Sequence, residues 1–165
     1  MIPKELAALT GLGLVAAPGG KSPAFTATGD RVVDARAFEA LKSLVKETPG
    51  ATVRVNLHPG PEAPVHDMII AQSAGGQPFV HRHLTREETY HMIEGRMRLQ
   101  FFDDAGKPSS SHILGGPGTG LPLIVRVPKG VWHASVAETP FVIFHESRPG
   151  PFDGADTVFP DWKPA

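Results

Sequence analysis

The chain has 165 residues, a formal net charge of -1 and no cysteine. This length suits one domain with a substantial core, and the near-neutral charge gives no reason to expect a nucleic-acid or membrane partner. Without cysteine, disulfides, thiolate nucleophiles and zinc-finger sites are excluded, so we expect any bound metal to be held by nitrogen and oxygen. The start of the chain is a poor match to a signal peptide and no apolar run has the length of a membrane span, so we expect a soluble, cytoplasmic protein.

The first part of the chain, residues 1–50, predicts an N-terminal extension with one helix. The segment DARAFEALKSLVKE predicts a helix over about 34–47. Asp34 can cap its first turn, and Phe38, Leu41 and Val45 fall on one face. We expect this extension to pack on the following domain as a flap or end cap.

After residue 50 the pattern changes to short strands separated by glycine, proline and aspartate. With 18 glycines and 17 prolines in the chain, tight turns are frequent. We see no internal repeat, so the pattern predicts one all-β sandwich or barrel over residues 51–165, with a C-terminal tail. The predicted strands are 52–58, 66–72, 78–83, 87–93, 96–103, 123–127, 132–137 and 141–147.

Two histidines and two glutamates lie close together in HRHLTREETYHMIEGR, residues 81–96. Residues two apart on a strand point to the same face, so His81 and His83 project together. With eight histidines in the chain, such a pair is weak evidence by itself. A strand that returns antiparallel after a short turn brings Glu87 or Glu88 back beside the histidines, where a carboxylate would add an oxygen ligand.

A third histidine follows a tight turn in VPKGVWHASV. Pro128 fixes its own φ and Gly130 permits the backbone reversal, so the turn presents His133 at a defined position at the start of a strand. Three neutral imidazoles and one carboxylate around a divalent ion leave one or two coordination positions for water or substrate. Such a set is typical of a catalytic metal site.

These segments resemble the two motifs of the cupin superfamily. HRHLTREETYHMIEG follows His-x-His, four residues, Glu, six residues, Gly, and PKGVWH follows Pro-x-Gly, two residues, His. Together with VNLHPGPEAPVHDMIIA, EGRMRLQFFDDAG and the ending ESRPGPFDGADTVFPDWKP, they are similar to the WbuC family of cupin-fold metalloproteins over roughly residues 50–165. The resemblance implies a single cupin barrel, a double-stranded β-helix or jelly roll, with a short N-terminal helical addition.

The resemblance also implies a ligand set for one divalent metal inside the barrel: His81, His83, Glu88 and His133. Two positions depart from the pattern. Pro122 stands where a glycine is expected six residues before the second motif's proline, and Ala137 where an asparagine is often found four residues after its histidine. Neither is a ligand position, so the departures affect barrel geometry more than metal binding.

Glu87 competes with Glu88 for the carboxylate position. We favour Glu88 because its distance to Gly95 fits the motif and because Tyr90 and Met92 then share its inward face. In the alternative, both glutamates are solvated in an exposed turn.

Three side chains are candidates for catalysis or substrate contact without binding the metal: Tyr90, Arg98 and His145. His145 could point into the barrel or be a structural histidine. On the strand at 52–58, a polar trio of Arg54, Asn56 and His58 shares one face. The trio could hold a polar or anionic ligand or face solvent, and we favour solvent.

The ligand set accommodates iron, manganese, nickel or zinc and does not choose among them. With a divalent ion it carries roughly one net positive charge, which favours a substrate that is anionic or chelates through oxygen. Iron would allow dioxygen chemistry, whereas zinc or manganese would suit Lewis-acid isomerisation or hydrolysis. No organic cofactor is indicated.

The sequence therefore predicts a metal-binding cupin, interpreted as a metal-dependent enzyme of oxygenase or isomerase type. Its substrate would be a small oxygen-rich molecule, carbohydrate-like or a carboxylate, and the WbuC resemblance implies a link to surface-polysaccharide biosynthesis. The alternative is a metal-containing cupin that binds or senses a small ligand without turnover. A weaker option is a metal-free barrel, as in some sugar epimerases. Exposed strand edges allow a homodimer through strand pairing.

Overall fold

The computed structural model describes residues 9–17 and 22–163. β-Strands dominate these residues. Helix α1 (Ala35–Val45) lies between the second and third strands, and a 3₁₀ turn (Gly154–Asp156) precedes the last. The strands are β1 (Leu14–Ala17), β2 (Ala24–Ala27), β3 (Thr52–Asn56), β4 (Val65–Ser73), β5 (Arg82–His83), β6 (Glu88–Glu94), β7 (Arg96–Phe102), β8 (Pro108–Gly115), β9 (Ile124–Val127), β10 (Trp132–Ala137), β11 (Phe141–Pro149) and β12 (Thr157–Val158).

The strands form three sheets. Seven strands lie in the order β1-β2-β3-β4-β11-β6-β9, three in the order β10-β7-β8, and two, β12 and β5, pair with each other. Apart from the parallel pair β2–β3, the neighbours are antiparallel. Because β11 lies between β4 and β6, strands distant in sequence become neighbours, as in a jelly roll.

The predicted all-β jelly roll is confirmed, but its sheets are not closed into a barrel. The seven-stranded and three-stranded sheets share one apolar cluster, in which Met92 and Phe144 from the first meet Met97 and Leu99 from the second. A closed barrel would need long hydrogen-bonded strands at the seam, the region between the two larger sheets where β5, β12 and the start of β10 lie. There, β5 and β12 have two residues each, and β10 pairs with His81 only through an isolated bridge.

Helix α1 begins where the sequence places its cap. The Asp34 carboxylate accepts hydrogen bonds from the backbone N–H groups of Arg36 and Ala37, which have no partner within the helix. Leu41 and Val45 are buried against the outer face of the large sheet. Within the described residues, no helix has the length and apolar character needed to cross a membrane.

The region before α1 also contributes strands, which the sequence pattern did not predict. β2 pairs with β3 and extends the large sheet by two strands. β1 and β2 have four residues each and are rich in alanine, so neither shows the alternation that signals a strand. β8 was missed for a related reason: it is an edge strand whose serines face solvent.

Candidate metal centre

The backbone ladder brings the two histidine segments face to face. His81 and His133 lie directly opposite each other and exchange both backbone hydrogen bonds, with N···O distances of 3.1 and 3.0 Å. The Gly130 N–H donates to the His83 carbonyl at 2.6 Å, which fixes the turn before β10 against β5. Gly130 has φ +77°, a backbone conformation that favours glycine.

Glu88, the first residue of β6, lies between the histidines and is 2% exposed. One carboxylate oxygen is 2.6 Å from Nε2 of His133, and the other is 3.2 Å from Nε2 of His83. Ligating atoms of His81, Glu88 and His133 all lie within 4.8 Å of one another. These three residues could therefore hold a metal ion, and His83 adjoins them through Glu88.

Each histidine has its Nδ1 occupied, which leaves Nε2 as the nitrogen available to a metal. In both His81 and His133, Nδ1 lies within hydrogen-bond distance of the backbone carbonyl two residues earlier, at 3.1 and 2.9 Å. A carbonyl only accepts, so these Nδ1 atoms carry the proton. Nδ1 of His83 lies 3.1 Å from the Thr157 hydroxyl. Outer contacts of this kind orient histidine ligands in metal sites.

The charges of the cluster suit a cation. Burial, and then the neighbouring His133, lower the pKa of His81 to about 4, so its imidazole is neutral at pH 7. Burial acts to raise the pKa of Glu88, but the hydrogen bonds with His133 and His83 hold it well below its usual range. Burial acts to lower the pKa of His133, yet the carboxylate raises it. A buried carboxylate among imidazole nitrogens is a fitting donor set for a divalent transition metal.

Of the two adjacent glutamates, Glu88 and not Glu87 belongs to the cluster. The Glu87 carboxylate points to the surface and pairs with Arg126, whose Nε lies 2.8 Å from it. Consecutive residues on a strand point to opposite faces, so only one of the two can face inward.

Of the three candidate catalytic side chains, only Tyr90 lies at the cluster. Its hydroxyl donates to the Glu88 carboxylate at 2.9 Å, and burial followed by that negative charge raises its pKa well above the ordinary value. Arg98 forms an ion pair with Glu138, outside the cavity lining. His145 also lies outside this lining, with Nε2 3.2 Å from the side chain of Asp67.

The cluster opens into a cavity of about 1100 Å³. Its lining includes two charged residues that the sequence did not predict for the site and one that it favoured as solvent-exposed. Glu146 and Arg148 follow Phe144 at alternate positions of β11 and line the cavity with it. That alternation was the available signal in FVIFHESRP. Arg54 also lines the cavity, against the favoured interpretation that its strand face is solvated. His58 stacks instead on His66, with ring centroids 4.0 Å apart.

Comparison with known proteins supports the fold. A family model described as a domain of unknown function, DUF6016, matches residues 33–114. No curated protein matches the chain in sequence. A crystal structure of CapF with the inhibitor 3-isopropenyl-tropolone aligns over 68% of this chain and 32% of its own, with 17% identity and a TM-score of 0.54.

Protein SO0799 from Shewanella oneidensis aligns over 62% of this chain and 65% of its own, with 18% identity and a TM-score of 0.50. The chain thus spans about a third of CapF and just under two thirds of the Shewanella protein. At these identities the likeness concerns the fold alone.

Proposed function

We propose that this protein is a cupin-fold metalloenzyme that acts on a small oxygen-rich substrate, carbohydrate-like or a carboxylate. One divalent transition metal would be held by four residues: His81, His83, Glu88 and His133. The observation that carries the proposal is the convergence of ligating atoms from His81, Glu88 and His133 within 4.8 Å, at one wall of a large cavity.

The cavity favours a site that handles a ligand over a metal that only stabilises the fold. A structural metal site is usually closed to solvent and substrate, whereas His81 and His83 line an open space of about 1100 Å³. A bound metal would supply a Lewis acid, or with iron a site for dioxygen. The Tyr90 hydroxyl, hydrogen-bonded to Glu88, orients that carboxylate.

The finer resemblance to the WbuC family is part of this proposal. It rests on the motifs in the sequence and favours a substrate connected with surface-polysaccharide biosynthesis. The placement of Arg98 and His145 outside the cavity removes two candidate catalytic groups and favours the second candidate, a cupin that binds or senses a small ligand without turnover. Turnover with the metal-loaded protein separates the two candidates.

The first test is elemental analysis of protein purified without chelators or added metal. We expect about one equivalent of a transition metal in the wild type and its loss in Glu88→Gln and in His133→Ala. Glu87→Gln is the matched control, since its carboxylate pairs with Arg126 at the surface, and it should keep the metal. Wild-type protein that takes up no metal from iron, manganese, nickel or zinc salts would contradict the proposal. The metal found decides between oxygen-consumption and isomerisation or hydrolysis assays.

A further inference from the structure

Two arginines on the wall of the cavity have no carboxylate partner among the residues that the structure describes. Arg54 donates from Nη2 to the Ser22 hydroxyl at 2.8 Å, while its Nε is buried and forms no hydrogen bond with the described part of the chain. Nη1 of Arg148 lies 3.4 Å from Nε2 of His83, and its guanidinium lies over the Phe152 ring. Across residues 9–17 and 22–163, neither forms an ion pair.

Several other arginines of this chain form ion pairs. Arg82, Arg98 and Arg126 each lie against a carboxylate, at Asp104, Glu138 and Glu87 respectively. Surface pairs of this kind contribute little stability, because water already solvates both charges. A guanidinium that is partly withdrawn from water gains more from an anion, so Arg54 and Arg148, which are half-buried, would gain more from an anionic partner than an exposed arginine would.

Both arginines lie on the same inner face as the metal centre. Arg54 stands opposite Ile70 on β4, and Ile70 stands opposite Phe144 on β11. Arg148 is four residues beyond Phe144 and therefore on the same face of that strand. Its contact with His83 places one guanidinium at the edge of the ligand cluster, while Arg54 lies further along the wall.

The charge of this wall is positive. Among the lining residues that the structure describes, Glu146 is the one carboxylate, and it forms no ion pair with either arginine. Even with Glu146 ionised, two guanidinium charges outweigh one carboxylate. Glu88 is engaged by His133 and His83, so it does not neutralise the wall. A neutral ligand would leave this charge uncompensated.

Aromatic side chains lie along the same cavity. Phe79, Phe152 and Phe159 line it while remaining 55, 54 and 44% exposed. The rings of Phe79 and Phe159 are 5.1 Å apart and tilted by 58°. Aromatic surfaces of this kind accept the flat or apolar body of a ligand, whereas a small ion alone would have no use for them.

We propose that Arg54 and Arg148 form the oxyanion-binding subsite of this cavity, so that the substrate is a carboxylate or phosphate attached to a ring or apolar body. This inference rests on the proposed function for its placement beside the metal, and it narrows the substrate class. The planar guanidinium fork matches the oxygen spacing of both anions. An oxyanion there compensates the positive wall, and its body lies against the phenylalanines.

The test uses three probes of one shape: benzoate, phenyl phosphate and benzamide, titrated by calorimetry into protein as purified. We expect at least one of the two anions to bind at least tenfold more tightly than benzamide, with affinity falling as salt is added. The preferred anion identifies carboxylate or phosphate as the natural group. Equal affinity for all three probes, or binding of neither anion, would overturn the inference.

Variants locate the binding. Arg54→Gln and Arg148→Gln should each weaken anion binding about tenfold or more, whereas Arg54→Lys, which keeps the charge, should lose less. Arg98→Gln removes an arginine outside the cavity and should bind as the wild type does. Anion binding that survives both cavity substitutions would place it elsewhere and refute the proposal.

Metal content measured on the same samples separates the two proposals. Protein that binds no metal but binds anions through Arg54 would keep the subsite and refute the metalloenzyme. Protein that binds metal but does not prefer anions would support the metalloenzyme and refute the oxyanion subsite. Arg54→Gln is the decisive variant, since Arg148 contacts His83 and its loss can also disturb the metal ligands.

Discussion

At the scale of single residues, the environment of His83 depends on a segment far away in the sequence. Oδ2 of Asp156 lies 3.5 Å from Nδ1 of His83, and Thr157 contacts the same nitrogen. Asp156 is itself fixed, since its other oxygen accepts from the backbone N–H and the hydroxyl of Thr85, at 2.8 and 2.6 Å. The C-terminal tail thus orients the ring and directs Nε2 toward Glu88.

Asp156→Asn should weaken metal binding without abolishing it. The variant keeps an oxygen for Thr85 but loses the negative charge facing His83, and changes in such outer contacts typically cost 10–100-fold in affinity. Competition with a fluorescent chelator measures the effect. Asp153→Asn is the control, because Asp153 caps only the nearby 3₁₀ turn and should bind metal as the wild type does. Equal affinities for wild type and Asp156→Asn would show that the tail does not support the ligand.

Glu146 makes the stability of the metal-free protein depend on pH. Burial, and then the charge of Glu88, raise its pKa from 4.5 to about 7. The folded protein therefore holds this proton up to higher pH than the unfolded chain does, so stability is lost as the pH rises from about 4.5 to about 7. The loss amounts to at most about 3 kcal/mol.

Glu146→Gln should remove this loss. In urea unfolding with EDTA present, the variant and the wild type should be similar at pH 5, and the variant should be more stable by about 1–3 kcal/mol at pH 8. The comparison at two pH values serves as its own control, because other titrating groups are common to both proteins. A stability difference that does not change with pH would contradict the assignment.

At the scale of elements, Gly95 is where the chain leaves one sheet and enters the other. It has φ +82°, and a Cβ built there would lie 2.6 Å from both the Phe141 carbonyl oxygen and the Thr139 hydroxyl. β6 ends before it in the seven-stranded sheet, and β7 begins after it in the three-stranded sheet. The glycine of the first motif therefore permits the close approach of this turn to Thr139 and Phe141.

Gly95→Ala and Gly130→Ala form a matched pair. Both residues have positive φ, which costs alanine about 1–2 kcal/mol, but a Cβ at Gly130 meets nothing within 4 Å. Gly95→Ala also meets backbone and should cost about 1–3 kcal/mol more. Urea unfolding of both variants measures the difference. Equal destabilisation would show that the turn can relax around the added methyl group.

At the scale of the whole molecule, the proposed metal ligands come from all three sheets. Glu88 belongs to the seven-stranded sheet, His133 to the three-stranded sheet, and His83 to the two-stranded one. A bound ion would therefore link parts of the fold that hydrogen bonds do not close into a barrel. Stability and metal binding are coupled in such an arrangement, because the unfolded chain does not present the site.

Removal of the metal should lower the melting temperature. At a free metal concentration of about 100 times Kd the ion adds about 2.7 kcal/mol, which corresponds to a shift in Tm of roughly 5–10 °C for a domain of this size. Differential scanning calorimetry with and without EDTA measures it, with metal content assayed beforehand. Glu88→Gln should show no response to EDTA. An unchanged Tm after stripping a metal that was present would argue against a buried ion linking the sheets.

The sequence by itself determined the parts of the site that depend on local geometry. His81 and His83 are two residues apart, Glu88 is seven residues before Gly95, and His133 follows a Pro-x-Gly turn; such spacings act within one strand or one turn. The helix was predicted from its cap and apolar face for the same reason. Local sequence also favoured Glu88 over Glu87, and the structure places Glu88 in the cluster.

Only the tertiary structure decided what surrounds those residues. Thr157 contacts His83 although the two are 74 residues apart in the sequence. The position of Arg148 beside the same histidine follows from strand order and register. The sequence did not decide which face of the sheet Arg54 lies on, because alternating polar residues fit either a solvated face or a cavity wall. Pairing between distant strands leaves no local signal, so the cavity, its charge and the open seam between the sheets emerged only when the chain was folded.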